Sequence, residues 1–101
     1  MTEKHLTVGS VAMSAAGRDS GRAFVVLGEA DNDYVLIADG KLRKLEKPKK
    51  KKRRHLKDTG VRADDIINAL NEGRLLDADV RKRLAQLGFG RDISEEGGQD
   101  V

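Results

Sequence analysis

Between residues 8 and 37 the apolar positions come in short runs, broken by Gly, Asp, Asn and Ser at intervals too short for helices of ordinary length. The pattern predicts a compact β unit. A first strand is expected over residues 8–13, where Val11 and Met13 share a face and Gly9, Ser10 and Ala12 leave room for close packing or a bulge. A second covers residues 23–28, and its unbroken Phe24, Val25, Val26 and Leu27 suit a strand covered on both faces. The third, residues 34–38, follows an Asp31, Asn32, Asp33 turn whose side chains can bond to their own backbone. Asp39 and Gly40 then give a two-residue hairpin signal, which predicts a fourth strand returning through residues 42–45. That strand alternates poorly and Pro48 cannot donate to a ladder, so the sheet is expected to end there. After the basic run, His55, Leu56 and Lys57 supply a last short strand that closes a small barrel.

Beyond Thr59 and Gly60 the apolar period becomes 3.6. One helix is predicted over residues 62–71, carrying Ile66, Ile67 and Leu70, with Gly73 suited to the left-handed position after its end. A second is predicted over residues 77–87, with Val80, Leu84 and Leu87 in one stripe, Asp77 as N-cap and Gly88 as the stop. Both fall short of the roughly 12 to 15 residues at which isolated helices become marginal, so they must pack on each other, on the barrel or on a partner. The expected organisation is therefore a tail at residues 1–5, a β unit at residues 6–58 and a helical hairpin at residues 59–90. A disordered tail, without an apolar face, fills residues 91–101.

Charge changes this picture. The 101 residues carry a net charge of +3, but it is unevenly divided: residues 1–40 sum to −3, residues 41–57 to +10 and residues 58–101 to −4. A local field of +10 within 17 residues concentrates polyanions and steers their approach. An anionic membrane is the weaker partner, because Pro48 interrupts the run and residues 49–54 have no apolar face. The chain has no Cys, which excludes disulfides, thiolate zinc sites and Cys nucleophiles. Without a membrane-span-length apolar run or a signal-peptide core, a soluble cytoplasmic protein is expected.

The loop Gly17, Arg18, Asp19, Ser20, Gly21, Arg22 lies between two apolar strands. Its glycines allow a tight reversal and Arg18 and Arg22 offer guanidinium groups to a phosphate; taken alone, it reads first as a plain glycine-rich connection with solvated arginines. The stretch from Val11 through this loop to Val26 resembles the KOW motif of ribosomal and transcription-elongation proteins, in which strands flank a Gly, basic, Asp, any, Gly, basic loop. The following Tyr34 to Gly40, Leu42 to Lys49, and His55 with Leu56 are similar to bacterial KOW-domain RNA-binding proteins related to the fourteen-e type of large-subunit ribosomal protein. The resemblance covers residues 7–58. It implies a small SH3-like (KOW) barrel that binds RNA, usually ribosomal RNA, so that the fold class is mainly β with a helical appendix. It also assigns RNA contact to Arg18, Arg22, Arg43, Lys44 and Lys47, while Gly17, Asp19 and Gly21 form the loop.

The cationic set extends to Lys41, Lys49, Lys50, Lys51, Lys52, Arg53, Arg54 and Lys57. If the six cations of residues 49–54 all displaced counterions from single-stranded RNA, log K would fall with log salt at a slope near −4. Only three aromatics are present: Phe24 reads as core, Phe89 as a clip for the last helix, and Tyr34 either as a base-stacking residue or as a core tyrosine with its hydroxyl in water. Shape recognition of folded RNA suits this composition better than reading a single strand. His5 and His55 lack the neighbours a metal site needs, so no metal or cofactor is implied. Asp64, Asp65, Asp77 and Asp79 are explained by the helix dipole, no nucleophile and base pair emerges, and an enzyme is not expected. The expected partner is RNA or the ribosome, with a protein partner for the acidic helices. The alternative is a protein-interaction adaptor at the ribosome or RNA polymerase, for which the basic run is only a tether.

Overall fold

Five antiparallel strands precede two helices in a computed structural model that describes residues 6–15, 17 and 20–89. The strands are β1 (Ser10–Ser14), β2 (Ala23–Glu29), β3 (Tyr34–Ala38), β4 (Lys49–Lys52) and β5 (Leu56–Arg62), in sheet order β4-β3-β2-β1-β5. A single 3-10 turn, Arg53–His55, joins β4 to β5. The helices are α1 (Asp64–Asn71) and α2 (Asp77–Gln86). No helix among the described residues is long and apolar enough to cross a membrane.

The unbroken apolar run of β2 is covered on both faces, as its pattern predicts. Phe24 and Val26 join Leu6, Ala12, Val35, Ile37 and Leu56 in one buried cluster. Val25, between them, points the other way and packs with Val11, Ile66, Val80 and Leu84 under the helices. Each of the larger of these core side chains is worth roughly 1.5 to 3 kcal/mol on burial, which is what holds helices this short in place. Phe89 packs partly buried against the helix-side cluster, the clip expected of it.

The lysine run is where the structure departs most from the sequence pattern. Residues 42–45 form no strand, and the sheet does not end at Pro48: the next strand is Lys49–Lys52, paired antiparallel with β3 through Tyr34↔Lys52, Val35↔Lys51, Leu36↔Lys50 and Ile37↔Lys49. The cause lies at Asp39. Among the described residues no non-glycine adopts positive φ, so Asp39-Gly40 cannot form the mirror-image turn that needs it at both positions. Instead the Asp39 carboxylate, 7% exposed, accepts the backbone N–H groups of Lys41 (2.9 Å), Leu42 (3.0 Å) and Arg43 (2.9 Å). Those donors are consumed by a loop, and pairing resumes only at Lys49.

That loop is bound to the start of α2. Asp77 Oδ1 accepts the Leu45 N–H at 2.8 Å, and Arg81 Nη1 donates to the Gly40 carbonyl at 2.6 Å. Gly40, at φ 78°, lies so close to the Asp77 carbonyl that a Cβ would collide with it.

The remaining corrections are shifts of boundary. The first strand is Ser10–Ser14 rather than residues 8–13. The expected short element at residues 55–57 is a seven-residue strand paired with β1, so residues 59–62 belong to the sheet and α1 starts only at Asp64. A register shift between Ser10 and Ala12 accommodates the polar Thr59 and Gly60, with Thr59 Oγ1 donating to the Val11 carbonyl at 2.7 Å. Leu76, not Asp77, is the N-cap of α2, and Asp79 Oδ2 accepts its N–H at 3.0 Å. The tails expected at residues 1–5 and 91–101 lie outside the described residues.

Candidate nucleic-acid interface

Strand alternation divides the lysines of β4 between two faces. Lys49 and Lys51 stand opposite Ile37 and Val35, which belong to the sheet-side core, whereas Lys50 and Lys52 stand opposite Leu36 and Tyr34. Lys51 is 9% exposed; a Cβ at Gly17 would lie 3.5 Å from its Nζ, so its stem runs under the sheet and its ammonium emerges against the Gly17 turn. Lys50 Nζ lies 5.0 Å and Lys52 Nζ 5.9 Å from the centroid of the Tyr34 ring. Strand spacing thus builds an aromatic ring framed by two ammonium groups on the outer face of the β3–β4 pair.

Arg53 and Arg54 differ in the same way. The Arg53 side chain is 16% exposed; Nη1 donates to the Leu6 carbonyl at 3.1 Å and Nη2 pairs with Glu29 at 3.1 Å, while its backbone N–H donates to the Asp33 carbonyl at 2.8 Å. It staples the turn after β4 to β2 and to the chain before β1. Arg54 is exposed. A concavity of about 660 Å³ is lined by both, together with Tyr34, Lys52, Asn32, Asp33 and Glu29.

The other cations expected to bind RNA form a second group. Exposed Lys41, Lys44 and Lys47 and half-buried Arg43 sit on the loop between β3 and β4, at the opposite end of the strand pair from Tyr34. At about 3.3 Å per residue, the two groups are separated by some 13 to 17 Å along the strands. Lys57 is exposed near the start of β5, opposite Met13.

The glycine loop meets the cationic strand at one place. Gly17 abuts Lys51, and Ala15 N–H donates to the His55 carbonyl at 2.8 Å, tying the loop base to the turn after β4. Gly21 donates its N–H to Ser14 at 2.8 Å and closes the loop. Half-buried Arg22 directs Nη2 toward Asp39 Oδ2 at 3.9 Å. Arg18 and Asp19 lie outside the described residues, as does His5. Among the described residues no three His, Asp or Glu side chains converge where a metal ion could be held.

Sequence reasoning missed Asn32 and Asp33 as potential ligand-facing groups, reading them only as turn formers. The signal was present in the turn itself: Asp31 Oδ1 takes both the Asp33 N–H (2.9 Å) and the Tyr34 N–H (3.0 Å), so one carboxylate suffices for the turn and the Asp33 carboxylate stays exposed. The apolar stripe of the helices is largely covered within the chain, since Ile66 and Leu84 are each 2% exposed against the sheet and Arg83 bridges the helices to Asp65 at 3.0 Å, while Leu76 at the start of α2 stays exposed.

No protein-family model matches the chain, and no curated protein matches it. The likeness to KOW proteins therefore rests on the residues alone.

Proposed function

We propose that the chain is a non-enzymatic RNA-binding protein of the translation apparatus, in which a KOW-type, SH3-like barrel grips structured RNA, ribosomal RNA above all, along its lysine strand. The observation that carries this reading is the ordering of the lysine run into β4. As a strand it presents Lys50 and Lys52 at fixed spacing around Tyr34, with Arg54 beside them, where a solvated ribbon would present nothing in register. Phosphate contacts of this kind position a protein on RNA without reading its sequence.

The barrel reading has its own support. Lys52 and Leu56 are four residues apart, a reach of at most about 14 Å. The edges of a flat five-stranded sheet lie about 19 Å apart, so β4 and β5 can be joined by so short a turn only if the sheet curls. Leu56 from β5 accordingly shares a buried cluster with Val35 and Ile37 from β3.

The adaptor reading would need a surface other than the apolar helical face, because Ile66 and Leu84 are already buried against the sheet. Ribosome co-sedimentation across a salt series separates the two. RNase-sensitive association that is lost at moderate salt is expected; salt-resistant, RNase-resistant association would overturn the RNA reading.

A further inference from the structure

We infer that the concavity beside Tyr34 is a subsite for one unpaired guanine: the base stacks on the Tyr34 ring, its Watson–Crick edge meets Asp33, and its flanking phosphates take Lys50, Lys52 and Arg54. The inference rests on the RNA-binding reading and adds to it a ligand class that charge alone does not select.

Size and chemistry both fit. The concavity, about 660 Å³, falls within the roughly 300 to 1,000 Å³ of small-molecule sites. Its charges are already sorted. Glu29 and Arg53 neutralise each other at 3.1 Å, which leaves Asp33, Lys52 and Arg54 as the other charged groups lining the concavity, with Lys50 on the same strand face as Lys52. A nucleotide has the same polarity, with an anionic backbone at one end and a hydrogen-bonding base edge at the other.

The ring is occupied in the free protein by the two lysine ammonium groups at 5.0 and 5.9 Å. Stacking of a base on an aromatic side chain is the stronger interaction at an exposed site, and an ammonium displaced from the ring gains a phosphate close by. The lysines therefore hold the ring's place in the absence of RNA and become backbone contacts in its presence.

Asp33 gives the selectivity. Its backbone is fixed at both ends, the N–H held by Asp31 at 2.9 Å and the carbonyl by Arg53 at 2.8 Å, so the exposed carboxylate projects from a rigid turn. A carboxylate only accepts hydrogen bonds. Guanine alone offers two adjacent donors on its Watson–Crick edge, N1–H and the 2-amino group; adenine and cytosine offer one amino group beside an acceptor, and uracil flanks its single donor with two carbonyls. Guanine is accordingly preferred and uracil disfavoured.

The chain has one tyrosine and no tryptophan, so intrinsic fluorescence excited at the tyrosine band reports on this ring alone. The full chain is titrated with two RNA hairpins identical except for a single bulged G or U, and with GMP and UMP. Saturable quenching by the G-bulge hairpin, with about 10-fold tighter binding than the U-bulge hairpin, is expected. Asp33→Asn should bring the two hairpins close to parity in quenching; in filter binding, which does not need the fluorophore, Tyr34→Leu should weaken G-bulge binding about 10-fold and Tyr34→Phe should preserve it. Salt-sensitive binding of both hairpins without quenching, or with equal affinity, overturns the subsite while leaving RNA binding intact. Quenching by GMP but not by the G-bulge hairpin overturns it in favour of a free nucleotide. No binding to any RNA in dilute buffer removes the RNA-binding reading, and the subsite with it.

Discussion

Of the six consecutive cations at residues 49–54, the fold leaves only some free for a polyanion, and salt titration counts them. Lys51 is buried to 9% exposure beside Gly17, and Arg53 is bonded to the Leu6 carbonyl and to Glu29, so Lys49, Lys50, Lys52 and Arg54 remain. At about −0.7 per phosphate contact on single-stranded RNA, four cations give this segment a slope of log K against log salt near −3 instead of the −4 expected from six. Replacing Lys50, Lys52 and Arg54 together by Ala should flatten the slope by about 2, which at 0.1 M salt corresponds to roughly a 100-fold loss of affinity. Arg53→Ala should leave the slope within about 0.5 while lowering stability. It removes a hydrogen bond to a backbone carbonyl and a half-exposed ion pair, about 1 to 2 kcal/mol, and so shifts the thermal midpoint down by about 5 to 15 °C in a domain of this size. The paired assays are filter binding from 50 to 300 mM salt and thermal unfolding followed by circular dichroism. An Arg53→Ala slope change as large as that of the triple variant, or an unchanged slope in the triple variant, would refute this division of roles.

Three further outcomes test the scaffold. Gly40→Ala forces both a left-handed backbone and a collision with the Asp77 carbonyl, whereas Gly60 has φ 86° and open space around it; thermal unfolding should show Gly60→Ala costing about 1 to 2 kcal/mol and Gly40→Ala at least about 2 kcal/mol more. Asp39→Ala strands three backbone donors and should cost about 3 kcal/mol, while Asp39→Asn, which keeps an acceptor oxygen, should recover about half in urea titration. Leu84→Ala should cost about 2 to 5 kcal/mol with little change in salt slope, since Leu84 is 2% exposed beneath the helices and remote from the lysines of the outer face.

Elements whose cause is local were legible in the sequence. The unbroken apolar run of β2, the turn before β3 and the periodic stripes of α1 and α2 all fold as their residues indicate. What escaped depends on partners far along the chain. Four consecutive lysines carry no alternation of polarity, and they form a strand because β3 offers a ladder and because a lysine stem can lie on apolar surface with its charge outside. The polar second half of β5 is likewise held by β1 across a bulge, which no period of 2 announces. Within the interface, the distinction between Arg53 and Arg54 is invisible to composition: it follows from which of two neighbouring guanidiniums turns toward the Leu6 carbonyl. Asp39-Gly40 shows the converse failure, where a correct local signal for reversal is captured by side-chain bonding and by the approach of α2.

The position of β4 at the rim of the sheet has a consequence for the protein's company with itself. An unpaired strand edge invites another copy to add its own strand, the route to fibrils and precipitates. Two such rims laid side by side, about 4.8 Å apart, would bring Lys50 and Lys52 of one copy against the same lysines of the other on one face of the joined ladder. The same row of ammonium groups that would draw a polyanion would thus repel its twin and oppose extension of the sheet.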